Sequence, residues 1–192
     1  MTTYVIDQDG HLILKDETKE DDTVIVEDED GIEIGSISLG KNIIEKFFRN
    51  YYDVGPSNTI RYRGVFECYR IRGDNNAKNL FFLLVSYTNV EWSMALTEDK
   101  ANGLAFLTTS FKNNFDGGMP YLYMHQLRYS YFLREFYHNH NSIDGSDVIS
   151  DSDLRLANTI INNYNELGLY NNSITFGLLV PTLGYKYIIY YK

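Results

Sequence analysis

The segment Leu133-Arg134-Glu135-Phe136-Tyr137-His138-Asn139-His140, followed by Ser150-Asp151-Ser152-Asp153, constrains the fold of this chain more than any other. Alternate residues of a strand share a face, so both imidazoles aim one way and Asn139 faces the other. From Asp153 onward, Leu156, Ile160, Ile161 and Tyr164 fall on one side of a helix that ends near Gly168. A strand must therefore pass through a loop into a helix. Two imidazoles and a carboxylate are the three protein ligands of a catalytic zinc site, here His138, His140 and Asp153, with the fourth tetrahedral position left for water. Asp147 and Asp151 are rival carboxylates. Ser150, near the helix start, can offer its hydroxyl to a developing oxyanion. The competing reading is an ordinary surface turn, because Asn, Asp and Ser also dominate solvated loops.

A metal-assisted hydrolase also needs a base. Glu91 lies in Tyr87-Thr88-Asn89-Val90-Glu91-Trp92-Ser93-Met94-Ala95-Leu96, a run rich in β-branched and aromatic residues that predicts a strand. Flanked by Val90 and Trp92, its carboxyl can be desolvated, which raises the pKa towards neutrality and suits proton transfer. On residue chemistry alone, an outward-facing carboxylate is the commoner case. Glu67, Glu98 and Glu135 are weaker candidates, and Glu135 is too near His138 to form an independent arm.

With 192 residues, 44% of them hydrophobic, the chain is long enough for one sizeable core. Its net charge of -9 argues against a nucleic-acid partner, because phosphate binding needs a basic surface. Arg61, Arg63, Arg70 and Arg72 alternate as on one face of a half-exposed strand. Cys68 is the only cysteine, which excludes an intramolecular disulfide framework, and between Phe66 and Tyr69 it reads as a buried thiol. No secretory signal or long apolar run is evident, so the expectation is a soluble polypeptide without a membrane span, cytoplasmic or delivered elsewhere.

Asp9-Gly10 and Asp30-Gly31 are turn signals separating Tyr4 to Ile6, Leu12 to Leu14, Val24 to Val26 and Ile32 to Ile37, which predict a small β-meander. The acidic cluster from Asp16 to Asp22 reads as solvated loop. Between Lys41 and Tyr52, Ile43, Ile44, Phe47, Phe48 and Tyr51 follow the stripe of an amphipathic helix, ended by Gly55-Pro56. A second helix is expected over Asn75 to Leu84, a strand over Gly103 to Ser110, and a helix from Pro120 to Arg128 that carries His125 as a packing or surface residue. Two strands, 174–180 and 185–191, joined by a Pro181/Gly184 turn, close the chain. The pattern predicts an α/β or α+β domain with helices on a mixed sheet.

The order of a glutamate, H-x-H and S-x-x-D resembles the JAB/MPN/JAMM metallopeptidases. The runs Asn79 to Leu84, Val90-Glu91-Trp92-Ser93, Leu107-Thr108-Thr109-Ser110 and Leu133 to His140 are similar to the JAB-like domains at the C-terminal ends of polymorphic toxins of Bacteroidetes-type bacteria. The opening Tyr4-Val5-Ile6-Asp7-Gln8-Asp9-Gly10 resembles the entry to such toxin tips. The resemblance implies an MPN/JAB-like fold over 41–192 behind a β-rich acidic extension, 1–40. It also implies a zinc peptidase or isopeptidase in which His138, His140 and Asp153 bind the metal, Glu91 is the base and Ser150 steadies the intermediate. A protein or peptide substrate and an immunity protein as partner follow from it. Two departures stand out: Asn141 replaces the proline that usually follows the second histidine, and Ser150 lies two residues beyond its usual position. A longer loop absorbs two residues at little entropic cost. A metal-free MPN-like scaffold that binds another protein is the alternative, and a nuclease built on the same histidines is disfavoured by the acidic balance.

Overall fold

The computed structural model describes residues 2–17, 21–54, 62–98, 103–113, 115–140, 148–167, 174–180 and 186–191. The sequence features at Gly55-Pro56, Arg61, Asn141, Asp147, Gly168 and the Pro181/Gly184 turn, with part of the Asp16–Asp22 cluster, lie outside these residues. Among the described residues the fold is α+β, with eleven strands in two sheets.

The first four strands are β1 (Thr3–Asp7), β2 (Leu12–Asp16), β3 (Asp22–Glu27) and β4 (Glu33–Gly40). They form a sheet in the order β2-β1-β3-β4, with β1 and β3 parallel. The four predicted strands are thus present, but β2 and β3 are not neighbours as a meander would require. β3 alternates buried Val24 and Val26 with half-exposed Thr23 and Ile25, as a strand covered on one face does.

The expected helix over Lys41 to Tyr52 is instead a strand, β5 (Ile44–Val54), paired antiparallel with β6 (Tyr62–Arg72). The cause is local. A bulge between Ile44 and Lys46 reverses the side-chain parity, so Ile44 and Phe47 face the same core although three residues apart. Phe48, Tyr52 and Val54 face the opposite core. Apolar residues on both faces, shifted by one bulge, imitate a helical stripe.

The remaining elements are α1 (Asp74–Tyr87), β7 (Ser93–Thr97), β8 (Leu104–Thr109), α2 (Gly118–Leu122), a π-helical turn (Tyr123–Leu127), α3 (Arg128–Ser130), β9 (Leu133–Asn139), α4 (Asp151–Glu166), β10 (Thr175–Val180) and β11 (Lys186–Tyr191). The large sheet runs β11-β10-β9-β7-β8-β6-β5, with β9 and β10 parallel and its other neighbours antiparallel. Its two faces carry two cores. On one, Leu80, Phe81 and Leu84 of α1 pack with Tyr69, Trp92 and Met94, and with Tyr4, Ile6, Val24 and Val26 of the small sheet. On the other, Ile160, Ile161 and Tyr164 of α4 pack with Phe106, Phe136 and Phe176. Each such buried side chain contributes about 1.5–3 kcal/mol.

Cys68 is fully buried on β6, and burial pushes its thiol well above the ordinary range, which fits the inert thiol expected. Arg63 pairs with Asp53, and Arg70 and Arg72 with Glu45, so these β6 arginines serve the strand pair.

Candidate functional site

β9 is a central strand, flanked by β7 and β10, and its C-terminal end carries His138 and, just beyond, His140. α4 runs back along the sheet. Near its C-terminal end, the Tyr164 hydroxyl donates to the carbonyl of Tyr131 (2.9 Å) and accepts from the N–H of Leu133 (3.2 Å), at the start of β9. Its N-terminus therefore faces the end of β9, where Asp153 meets the two histidines.

The three donors converge. Nε2 of His138 and Nε2 of His140 are 3.2 Å apart, and they lie 3.3 Å and 3.5 Å from Oδ1 and Oδ2 of Asp153 respectively. The two imidazoles meet different oxygens of the carboxylate, and one ligand atom from each of the three residues lies within 4.8 Å of the others. Burial opposes ionisation of Asp153, but the two imidazoles, with help from Ser150, outweigh it and hold the carboxyl well below the usual range. A fixed carboxylate beside two imidazole nitrogens offers donors that could hold a cation. Among the described residues this is the group of histidine, cysteine and acidic side chains whose ligand atoms come together.

Ser150 is the N-cap of α4. Its Oγ accepts from the N–H of Asp153 (3.2 Å) and donates to Oδ2 of Asp153 (2.7 Å), while its own N–H donates to the same Oδ2 (2.8 Å). This reciprocal capping box fixes both the helix start and the carboxylate rotamer. The three-residue S-x-x-D spacing was its sequence signal, and it places the helix start at Asp151 rather than Asp153. Asp151 is exposed in the first turn, and Asp147 lies outside the described residues.

Glu91 precedes β7 rather than lying on it: α1 continues to Tyr87 and the strand starts at Ser93, which corrects the predicted strand over Tyr87 to Leu96. The intervening segment is extended and held on three sides. The Asn89 N–H donates to the carbonyl of Gln8 (2.6 Å), the Glu91 N–H to the carbonyl of Lys112 (2.6 Å), and the Thr109 hydroxyl to the carbonyl of Glu91 (2.9 Å). On the β9 side, Oδ1 of Asn139 accepts from the Trp92 N–H (2.7 Å), and Nδ2 of Asn139 donates to the carbonyl of Val90 (3.5 Å).

The Glu91 side chain is only 7% exposed, and its Oε2 has no hydrogen-bond partner among the described residues. Burial pushes its carboxyl well above the ordinary value, and the charges of Asp116 and Asp153 push it further. The backbone on both sides of Glu91 is tied to Asn139, the residue between the two histidines. Asp116, which residue reading did not single out, is itself buried and accepts from the Thr108 and Ser93 hydroxyls and the N–H of Gly118 and Met119.

The other candidates lie apart from this arrangement. Glu135 is ion-paired with Lys78, Glu67 is bound by Arg49, and Glu98 sits beyond β7 with φ +56°. His125 is exposed on the π-helical turn, its ring tilted against Tyr121 with centroids 4.3 Å apart.

A mixed sheet flanked by few helices is consistent with a JAB-like fold. The family described as JAB-like toxin 1 matches residues 69–158, and that part of the chain is a JAB-like toxin domain. The matched span contains Glu91, His138, His140, Ser150 and Asp153. No curated protein and no solved structure gives a match. No helix among the described residues is long and apolar enough to cross a membrane.

Proposed function

We propose that this JAB-like toxin domain is a zinc-dependent peptidase or isopeptidase acting on a protein or peptide, a toxin or effector tip for which an immunity protein would be the cognate partner. The observation that carries the reading is the convergence of His138, His140 and Asp153, whose ligand atoms lie within 4.8 Å of one another and supply the three protein donors of a tetrahedral zinc with one open position. When bound, zinc supplies Lewis-acid polarisation of the scissile carbonyl and an acidified water.

The remaining chemistry belongs to the chain. Glu91 takes the proton from the attacking water and delivers it to the leaving amine. Its buried carboxyl, held above the ordinary value, can take up that proton and give it back. Ser150 offers its hydroxyl to the oxyanion. When that hydroxyl turns from Asp153, the Ser150 N–H still holds Oδ2, so the ligand carboxylate keeps its orientation.

Elemental analysis of protein purified without chelator or histidine tag tests the reading, with the His138→Ala/His140→Ala double variant alongside. About one zinc per chain in the parent and none in the variant is the expected result. Hydrolysis of ubiquitin-like conjugates and peptides by the parent, lost in Glu91→Gln, completes the test. No metal in either protein after dialysis against zinc would leave a protein-binding scaffold as the better account.

A further inference from the structure

We infer that Asn139, the residue between the two histidines, is a positioning residue that ties the Glu91 carboxylate to the metal-binding strand; the inference rests on the function proposed above. In a regular antiparallel ladder, a hydrogen-bonded pair exchanges two main-chain bonds. Here the Asn139 N–H donates to the carbonyl of Trp92 (3.2 Å), but the return bond from the Trp92 N–H goes to the side-chain Oδ1 of Asn139 (2.7 Å). The side-chain amide stands in for the main-chain carbonyl. The ladder thus closes one step after the Ser93–His138 pair.

The same amide reaches across Glu91. Oδ1 holds the residue after it and Nδ2 holds the carbonyl of the residue before it, Val90, at 3.5 Å. Asn139 is fully buried, so each bond is made away from competing water. One side chain on the strand of the imidazoles therefore spans the backbone on both sides of Glu91. Only a side chain with an acceptor and a donor on one short stem does this. Aspartate keeps the acceptor but loses the donor, and alanine loses both. The Asn139 side chain thus couples two distances that the proposed chemistry needs together, imidazole to metal and carboxylate to reacting water.

The test combines amide exchange with binding of acetohydroxamate, a zinc-binding probe whose bound form hydrogen-bonds a neighbouring carboxylate. In metal-free protein, Asn139→Ala should speed exchange of the Trp92 amide at least about tenfold, whereas Asn139→Asp, which keeps the acceptor, should leave that amide slow. In zinc-loaded protein, Glu91→Gln should weaken acetohydroxamate about tenfold, the size of one hydrogen bond to a charged group. Asn139→Ala should weaken it comparably when Glu91 is present and less than about twofold in the Glu91→Gln background, with zinc stoichiometry unchanged. Equal loss in both backgrounds, or no loss with Glu91 present, would overturn the positioning role while leaving the proposed function standing. If Glu91→Gln itself has no effect, the assignment of Glu91 as base falls, and the positioning role with it. Should Asn139→Ala not fold, Asn139→Asp carries the same cycle: loss of the Val90 bond must weaken the probe only when Glu91 is present.

Discussion

Glu67 and Glu91 are both buried carboxylates on the large sheet or beside it, and they differ in what surrounds them. Glu67, at 0% exposure on β6, receives the Arg49 guanidinium on Oε1 and the Leu12 N–H (3.3 Å) on Oε2. It fastens β2 and β5 to the middle of the fold. Burial raises its pKa, but Arg49 opposes the rise. Glu91 is nearly as buried, yet the charges acting on it, Asp116 and Asp153, are negative and raise its pKa further. A buried carboxylate with a cation beside it is a structural clip. One surrounded by negative charge costs stability, and a cost of that kind persists where chemistry uses the group.

The largest separation of the two sites is in activity. Glu91→Gln should lower hydrolysis by about 10²–10⁴-fold, the range for removal of a general acid–base. Glu67→Gln should leave turnover per folded molecule within about twofold, because it touches no reacting group. Assays on protein quantified for folded fraction check both.

Stability should reverse the order. Glu67→Gln weakens the bond to a half-exposed arginine and should cost about 1–3 kcal/mol in urea unfolding. Glu91→Gln in metal-free protein should be neutral or stabilising, since it removes a poorly solvated acid. Destabilisation by Glu91→Gln as large as that of Glu67→Gln would erase the distinction between clip and base.

A finer test is pH. Glu91 holds its proton more tightly folded than unfolded, so its contribution favours folding below the ordinary value of 4.5 and is lost as pH rises from there towards the folded value. In metal-free protein, urea midpoints should therefore fall less between about pH 4.5 and 7 in Glu91→Gln than in the parent. A parallel pair of curves would contradict the raised pKa. The smallest expected effect is that of Ser150→Ala, about 1 kcal/mol for loss of the cap, accompanied by weaker zinc binding because Asp153 loses its hydroxyl partner. Calorimetry with a zinc competition titration reads both.

Much of the site was legible because its residues obey short spacing rules. H-x-H on a strand puts two imidazoles on one side by the period of two, and the apolar stripe after Asp153 predicts a helix that starts beside Ser150, so both halves of the candidate ligand set could be read before any fold was known. Family likeness, rather than spacing, selected Glu91. The extended segment that holds it takes its hydrogen bonds from Gln8, Thr109, Lys112 and Asn139, residues 18 to 83 positions away, which no local pattern encodes. The strand β5 escaped for a related reason. Its bulge sets Ile44 and Phe47 on one face, and a bulge is decided by pairing with β6 rather than by the residues of β5.

The sequence by itself determined most of the periodic elements, the buried thiol of Cys68, the acidic character of the chain and the chemical identity of the candidate donor set. These depend on residue type and on spacings within about two helical turns. Only the tertiary structure decided that α4 runs back along β9, which brings Asp153 to the end of the histidine strand, and that Asn139 reaches across to the Glu91 segment. Both arrangements arise from side chains packed or hydrogen-bonded between elements distant in the chain, where contact follows from the folded path rather than from local preference.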